Sequence, residues 1–156
     1  MSTDYNYELR MASQEMRSKY TYFILTAVGA CIGFAVTQTR GEHLSLVHAP
    51  LGLALLFWGL TFYCGCRFLN KAAVAGDVNA LAVWVLSGKH PVSGDDPAKI
   101  KIGYDAAQND YAKTQRKAGL AFRWQLRFFL LGAAFFIIWH ILGMWSAGPR
   151  IFTTYI

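Results

Sequence analysis

Charge is what this chain has least of. Only 15% of its 156 residues are Asp, Glu, Lys or Arg and 54% are apolar, whereas a soluble domain ordinarily carries about 25% charged and 45–50% apolar residues. So few charges cannot clothe a soluble surface. The shortage is also uneven, because three stretches of about 18 to 20 residues hold no charge at all, and that is the length of a helix crossing a hydrocarbon core. The expected fold class is an all-α integral membrane protein, a single helical membrane domain over residues 1–156. It has three transmembrane helices with cytoplasmic helical extensions.

Other absences narrow the function. The spans contain no Asp or Glu, and a coupled transporter would normally place acidic groups at the midplane. Cysteine is scarce. Cys64 and Cys66 form C-G-C and Cys31 stands alone, not the paired C-x-x-C of a metal site. They read as small buried residues kept reduced, with juxtamembrane acylation as the alternative. His43 and His48 have only Glu42 nearby, which makes a poor metal site. There is no phosphate-cradling glycine loop, no H-E-x-x-H, no G-x-S-x-G and no dinucleotide fingerprint. Asp95 and Asp96 adjoin Pro97, so helix capping explains them. The expectation is a protein that is not an enzyme, with no catalytic residue, cofactor or metal. Internal repeats and low-complexity tracts are also missing.

The first expected span is Tyr20 to Thr39, an uncharged run between Lys19 and Arg40. The second runs from about Pro50, a proline suited to a first helical turn, to Leu69, with Arg67 snorkelling to the headgroups. The third covers 124–145, where Trp124 and Arg127 suit the interface and Gly148-Pro149 ends the helix. Val28-Gly29-Ala30-Cys31 loosely resembles a lipidation site. The acidic residues Asp4, Glu8 and Glu15 before it and the apolar run after Cys31 favour an uncleaved span.

Positive charge sets the expected orientation. Residues 1–19 and 67–127 hold 13 Lys and Arg, whereas the turn after the first span has only Arg40 and the tail only Arg150. Cytoplasmic segments retain the positive excess, so the N-terminus and residues 70–123 are expected in the cytoplasm and the C-terminus outside, as in a bacterial inner membrane. Five Asp residues disperse the positives of that segment, which argues against a nucleic-acid footprint.

Three segments of the cytoplasmic part have helical patterns. Tyr5, Leu9, Ala12, Met16 and Phe23 lie on helical spacing and predict an amphipathic helix running into the first span. Residues 72–86 read as a separate helix with Val74, Val78, Leu81 and Val85 on one face and Asn79 and Val83 turned away. It is either interfacial or packed on the bundle. A turn over residues 87–97 follows, then a helix that starts at Asp96-Pro97. Within it Ile100, Tyr104, Ala107, Tyr111, Thr114, Ala118, Ala121, Gln125 and Phe128 keep a four-three spacing suited to packing on another helix. Ile100, Tyr104, Ala107 and Tyr111 are the candidate face for a cytoplasmic partner. An unbroken helix from Pro97 to Trp145 would be about 73 Å long.

Two features of the spans are functional candidates. Thr26, Gly29, Gly33 and Thr37 form a small-residue stripe that lets two helices approach closely, the partner being another subunit or the chain's own spans. His140 is the candidate intramembrane polar site, although Trp139 and Trp145 beside it equally fit an interfacial belt. The expected partners are the bilayer and a homo-oligomer or membrane complex, with no nucleic acid. The leading functional expectation is a homo-oligomeric effector that permeabilises the membrane or signals, its cytoplasmic helices sensing a partner. The alternative is a non-permeating scaffold subunit.

Overall fold

A computed structural model describes the backbone of residues 2–40, 48–91, 94 and 96–146, with side chains from Ala12 to Trp145 within those ranges. Three helices account for nearly all of it, and no strand occurs among the described residues. Helix α1 is Ser2–Gln38, α2 is Ala49–Leu86 and α3 is Pro97–Ser146. Each is long and apolar enough to cross a membrane, which points to a membrane location. At about 1.5 Å per residue, α1 and α2 each extend about 56 Å and α3 about 75 Å, so all three outrun a hydrocarbon core of about 30 Å.

The helix ends follow local chemistry. Pro50 occupies the first turn of α2, where its missing N–H costs no intrahelical bond. At the far end of α2 the Ser87 N–H bonds the Val83 carbonyl and the Gly88 N–H bonds that of Val85. Gly88 then takes φ +70°, a left-handed conformation that glycine adopts without a Cβ penalty and that stops the helix. The Trp84 and His90 rings meet edge to face at 4.8 Å across this turn. Asp96 caps α3, its Oδ1 accepting the Ala98 N–H at 3.0 Å.

The turn brings α3 back antiparallel along α2, and theirs is by far the largest interface. The buried row of α2 is Leu51, Ala54, Trp58, Thr61, Gly65, Phe68, Ala75, Ala82 and Val85, an alternation of three and four residues up to Ala82 in which Ala72 and Asn79 are only half-buried, and it defines a heptad seam. Its counterpart on α3 is buried at Ala107, Ala118, Gln125 and Gly132 and half-buried at the intervening positions. The backbone of α1 lies closer to α2 than to α3, and α1 meets α3 through side chains, with ring pairs Tyr20–Phe122 and Phe34–Phe136. Ile24, Val28 and Ala35 bring it into a core with Leu51 and Trp58, flanked by Leu126, Phe129 and Phe136 of α3.

Three details differ from the sequence reading. Residues 72–86 are not a separate helix but the continuation of α2, because the seam begun at Leu51 runs on unbroken against α3. Its buried side chains there are Ala75, Ala82 and Val85, while Val74 and Leu81 are exposed and Asn79 is half-buried. Of the expected face, Val85 is buried against Gly103 and Val78 is half-buried, whereas alanine takes the seam at positions 75 and 82 in place of Val74 and Leu81. In α1 the row through Ala12, Met16 and Phe23 is exposed, and Thr21, Ile24, Val28 and Ala35 turn inward. Tyr5 and Leu9 lie outside the described side chains.

Candidate functional site

The small-residue stripe of α1 faces away from the chain's own core. Thr26, Gly29, Gly33 and Thr37 are all exposed, and a methyl group placed on either glycine would meet nothing within 4 Å. The two threonines are satisfied locally: the Thr26 hydroxyl donates to the Tyr22 carbonyl at 3.0 Å and that of Thr37 to Phe34 at 2.7 Å. Their hydroxyls are thus spent on the helix backbone, and the row presents apolar and Cα surface outward. Of the two partners open to this stripe on sequence grounds, the chain's own spans are not the one it meets.

His140 is exposed on the outer surface of α3, its ring 6.4 Å from that of Trp139, and does not line the bundle interior. Trp139 itself faces inward, against Phe136 at 5.6 Å and His48 at 6.4 Å. His43 lies outside the described residues. The cysteines are free, with Cys31 and Cys64 half-buried and Cys66 exposed. Ile100, Tyr104 and Tyr111 are half-buried and Ala107 is buried. That row lies largely inside the chain, leaving Ile102 as the exposed apolar side chain at this end of α3.

The polar groups that the bundle does bury went unread in the spans. Thr21, Thr61 and Gln125, one from each helix, are fully covered. Thr21 donates its hydroxyl to Gln125 Oε1 at 3.4 Å, and Thr61 bonds back to the Phe57 carbonyl at 2.9 Å. Gln125 Nε2 has no protein partner; it rests where a side chain on Gly65 would be, 2.7 Å from that glycine's would-be Cβ. Gln125 stands on the four-three row of α3, which was the available signal. Its contact with α1 was not legible there, because the row indicates burial and not which helix covers it.

Beyond the apolar spans, at the charged end, α1 and the α2–α3 hairpin enclose a cleft of about 300 Å³. Ser13, Gln14 and Arg17 of α1 face Gln108, Tyr111 and Gln115 of α3 across it, with Phe68 as its floor. Gln115 Nε2 donates to the Tyr111 hydroxyl at 3.0 Å. Among the described residues no carboxylate and no thiol lines this cleft. Its described lining offers hydrogen bonding around one guanidinium, suited to holding a polar or anionic group.

Comparison of the chain with protein-family models, with curated proteins and with solved structures returns no match.

Proposed function

We propose that this chain is a small multi-pass membrane protein that assembles with copies of itself through α1 and holds or senses a partner protein at its charged end. It acts as a scaffold or signalling subunit without chemistry of its own. The observation that carries the reading is the outward stripe: Gly29 and Gly33 have free space around both α-carbons. In lipid, apolar burial gives no preference for helix over tail, so close backbone approach at small residues drives association. The polar cleft supports the sensing half, since a ligand in it would bridge α1 and α3. The excess of Lys and Arg at that end favours an inner-membrane orientation with the N-terminus cytoplasmic and the C-terminus outside.

Permeation finds less support. The buried polar groups lie inside the subunit, and Thr26 and Thr37 of α1 bond their own backbone, so among the described residues these groups offer no free polar row to a pore lumen.

Mass measurement of the full chain in mild detergent tests the reading. A defined homo-oligomer that falls to monomer in Gly29→Leu/Gly33→Leu is the expected result, and a monomeric wild-type chain overturns it. Ion flux from reconstituted vesicles at the background level is expected; flux above it restores the permeation reading.

A further inference from the structure

We infer that the groove between α2 and α3 at the charged boundary of the spans is a binding site for one anionic phospholipid, its phosphodiester held by Arg67, Lys71 and Lys117. The inference rests on the membrane reading above and not on the oligomer. The groove has a volume of about 350 Å³ and is separate from the cleft that α1 helps to form. Its two walls come from helices that run antiparallel. Arg67 and Lys71 stand one turn apart on α2, and Lys117 faces them from α3. Among the described residues no Asp or Glu lines it. None of the three cations belongs to an ion pair among the described residues, whereas Lys19, Lys99 and Lys113 each pair with a carboxylate on their own helix. Three like charges that converge without a counter-ion repel one another, and an anion that neutralises them is favoured.

The position of the groove identifies the anion. Arg67 is the first charge that α2 meets after its uncharged run from Ala49, so the cations stand where that helix leaves the apolar layer. Tyr63 and Trp124 flank them on the apolar side, the placement of aromatic side chains at headgroup level. The Arg67 guanidinium donates to the Tyr63 hydroxyl at 3.3 Å, which orients it along the groove. Toward the span, Leu60 and Leu56 follow Tyr63 at helical spacing on α2, and Phe128 and Leu131 follow Trp124 on α3. The three leucines are exposed and Phe128 is half-buried. Apart from Arg127, whose guanidinium lies over the Trp124 ring at 5.1 Å, the track beneath the cations is apolar and open, which suits an acyl chain and gives little to a free phosphate ion. Basic pockets between transmembrane helices bind anionic headgroups in this manner.

The test is native mass spectrometry of the full chain in mild detergent, titrated with phosphatidylglycerol or phosphatidylcholine. One phosphatidylglycerol per chain is expected, bound at least tenfold more tightly than phosphatidylcholine. Lys71→Gln/Lys117→Gln is expected to weaken it about thirtyfold, the effect of removing two cations at an anionic headgroup, while Lys71→Arg/Lys117→Arg retains it and Arg116→Gln, outside the groove, changes nothing. Equal binding of the two lipids, or unchanged binding in the double Gln variant, overturns the inference. So does displacement by millimolar inorganic phosphate, which would assign the site to a free anion. Release of the chain from membranes by alkaline carbonate without detergent would instead remove the membrane reading, independently of these results.

Discussion

The indole of Trp58 fills the place where Gly132 has no side chain: a Cβ on that glycine would lie 2.5 Å from the ring atoms Cδ1 and Nε1. Trp58 is 2% exposed, and its ring also meets Phe136 at a centroid distance of 5.5 Å. A large ring on α2 thus enters a hole on α3, while Ile24 and Val28 of α1 belong to the same cluster. The Trp58 Nε1 proton finds no acceptor in this apolar site, so shape complementarity is what holds the ring.

Gly132→Ala is therefore expected to destabilise the bundle by about 1–3 kcal/mol, the usual cost of forcing extra volume into a packed core. Trp58→Leu alone leaves a cavity and also destabilises. The double variant should be more stable than the sum of the two, because the smaller leucine relieves the clash at position 132. Denaturation of the four proteins in detergent micelles measures this coupling, and strict additivity would contradict the contact.

A smaller effect is expected at the buried amide. Gln125 gains one hydrogen bond of 3.4 Å from Thr21 and leaves Nε2 unpartnered. Gln125→Leu keeps most of the volume and removes the unsatisfied donor but takes the acceptor from the buried Thr21 hydroxyl, so the two effects offset and stability should stay within about 1 kcal/mol of wild type. Gly65→Ala should cost more, since its methyl would stand 2.7 Å from Nε2 and 2.8 Å from the Leu25 side chain. Thermal unfolding followed by circular dichroism ranks the two variants.

The hairpin turn depends on two local devices. Asp96→Ala removes the cap on Ala98 and should cost about 1 kcal/mol. Gly88→Ala places a Cβ at φ +70° and should cost a similar amount. Both residues lie beyond the spans, so proteolysis at the turn should accelerate in each variant while detergent-extracted mass stays the same.

Sidedness has its own test. On a background with Cys31, Cys64 and Cys66 replaced, Lys89→Cys should react with a membrane-impermeant maleimide only from the cytoplasmic side and Arg40→Cys only from the other. Reversed labelling would invert the proposed orientation, and labelling of both from one side would break the three-span arrangement.

Sequence alone determined the helical class and the three apolar runs. Three uncharged runs and a skewed distribution of Lys and Arg are composition, and composition decides where a chain can meet hydrocarbon. The caps at Pro50 and Asp96, the turn at Gly88 and the four-three row of α3 are local or periodic, so they were legible before any contact was known. What only the tertiary structure decided is which face each helix turns inward. Residues 72–86 illustrate the reason: Val74 and Leu81 are the more hydrophobic row, yet Ala75 and Ala82 are buried, because the seam already established with α3 selects side chains that let backbones approach. In α1 the apolar residues are distributed all around the helix, so hydrophobicity names no inner face. Contact shape turns Thr21, Ile24 and Val28 inward and leaves Gly29 and Gly33 outside. Where every face of a helix is apolar, burial is set by fit, and fit exists only between helices that have met.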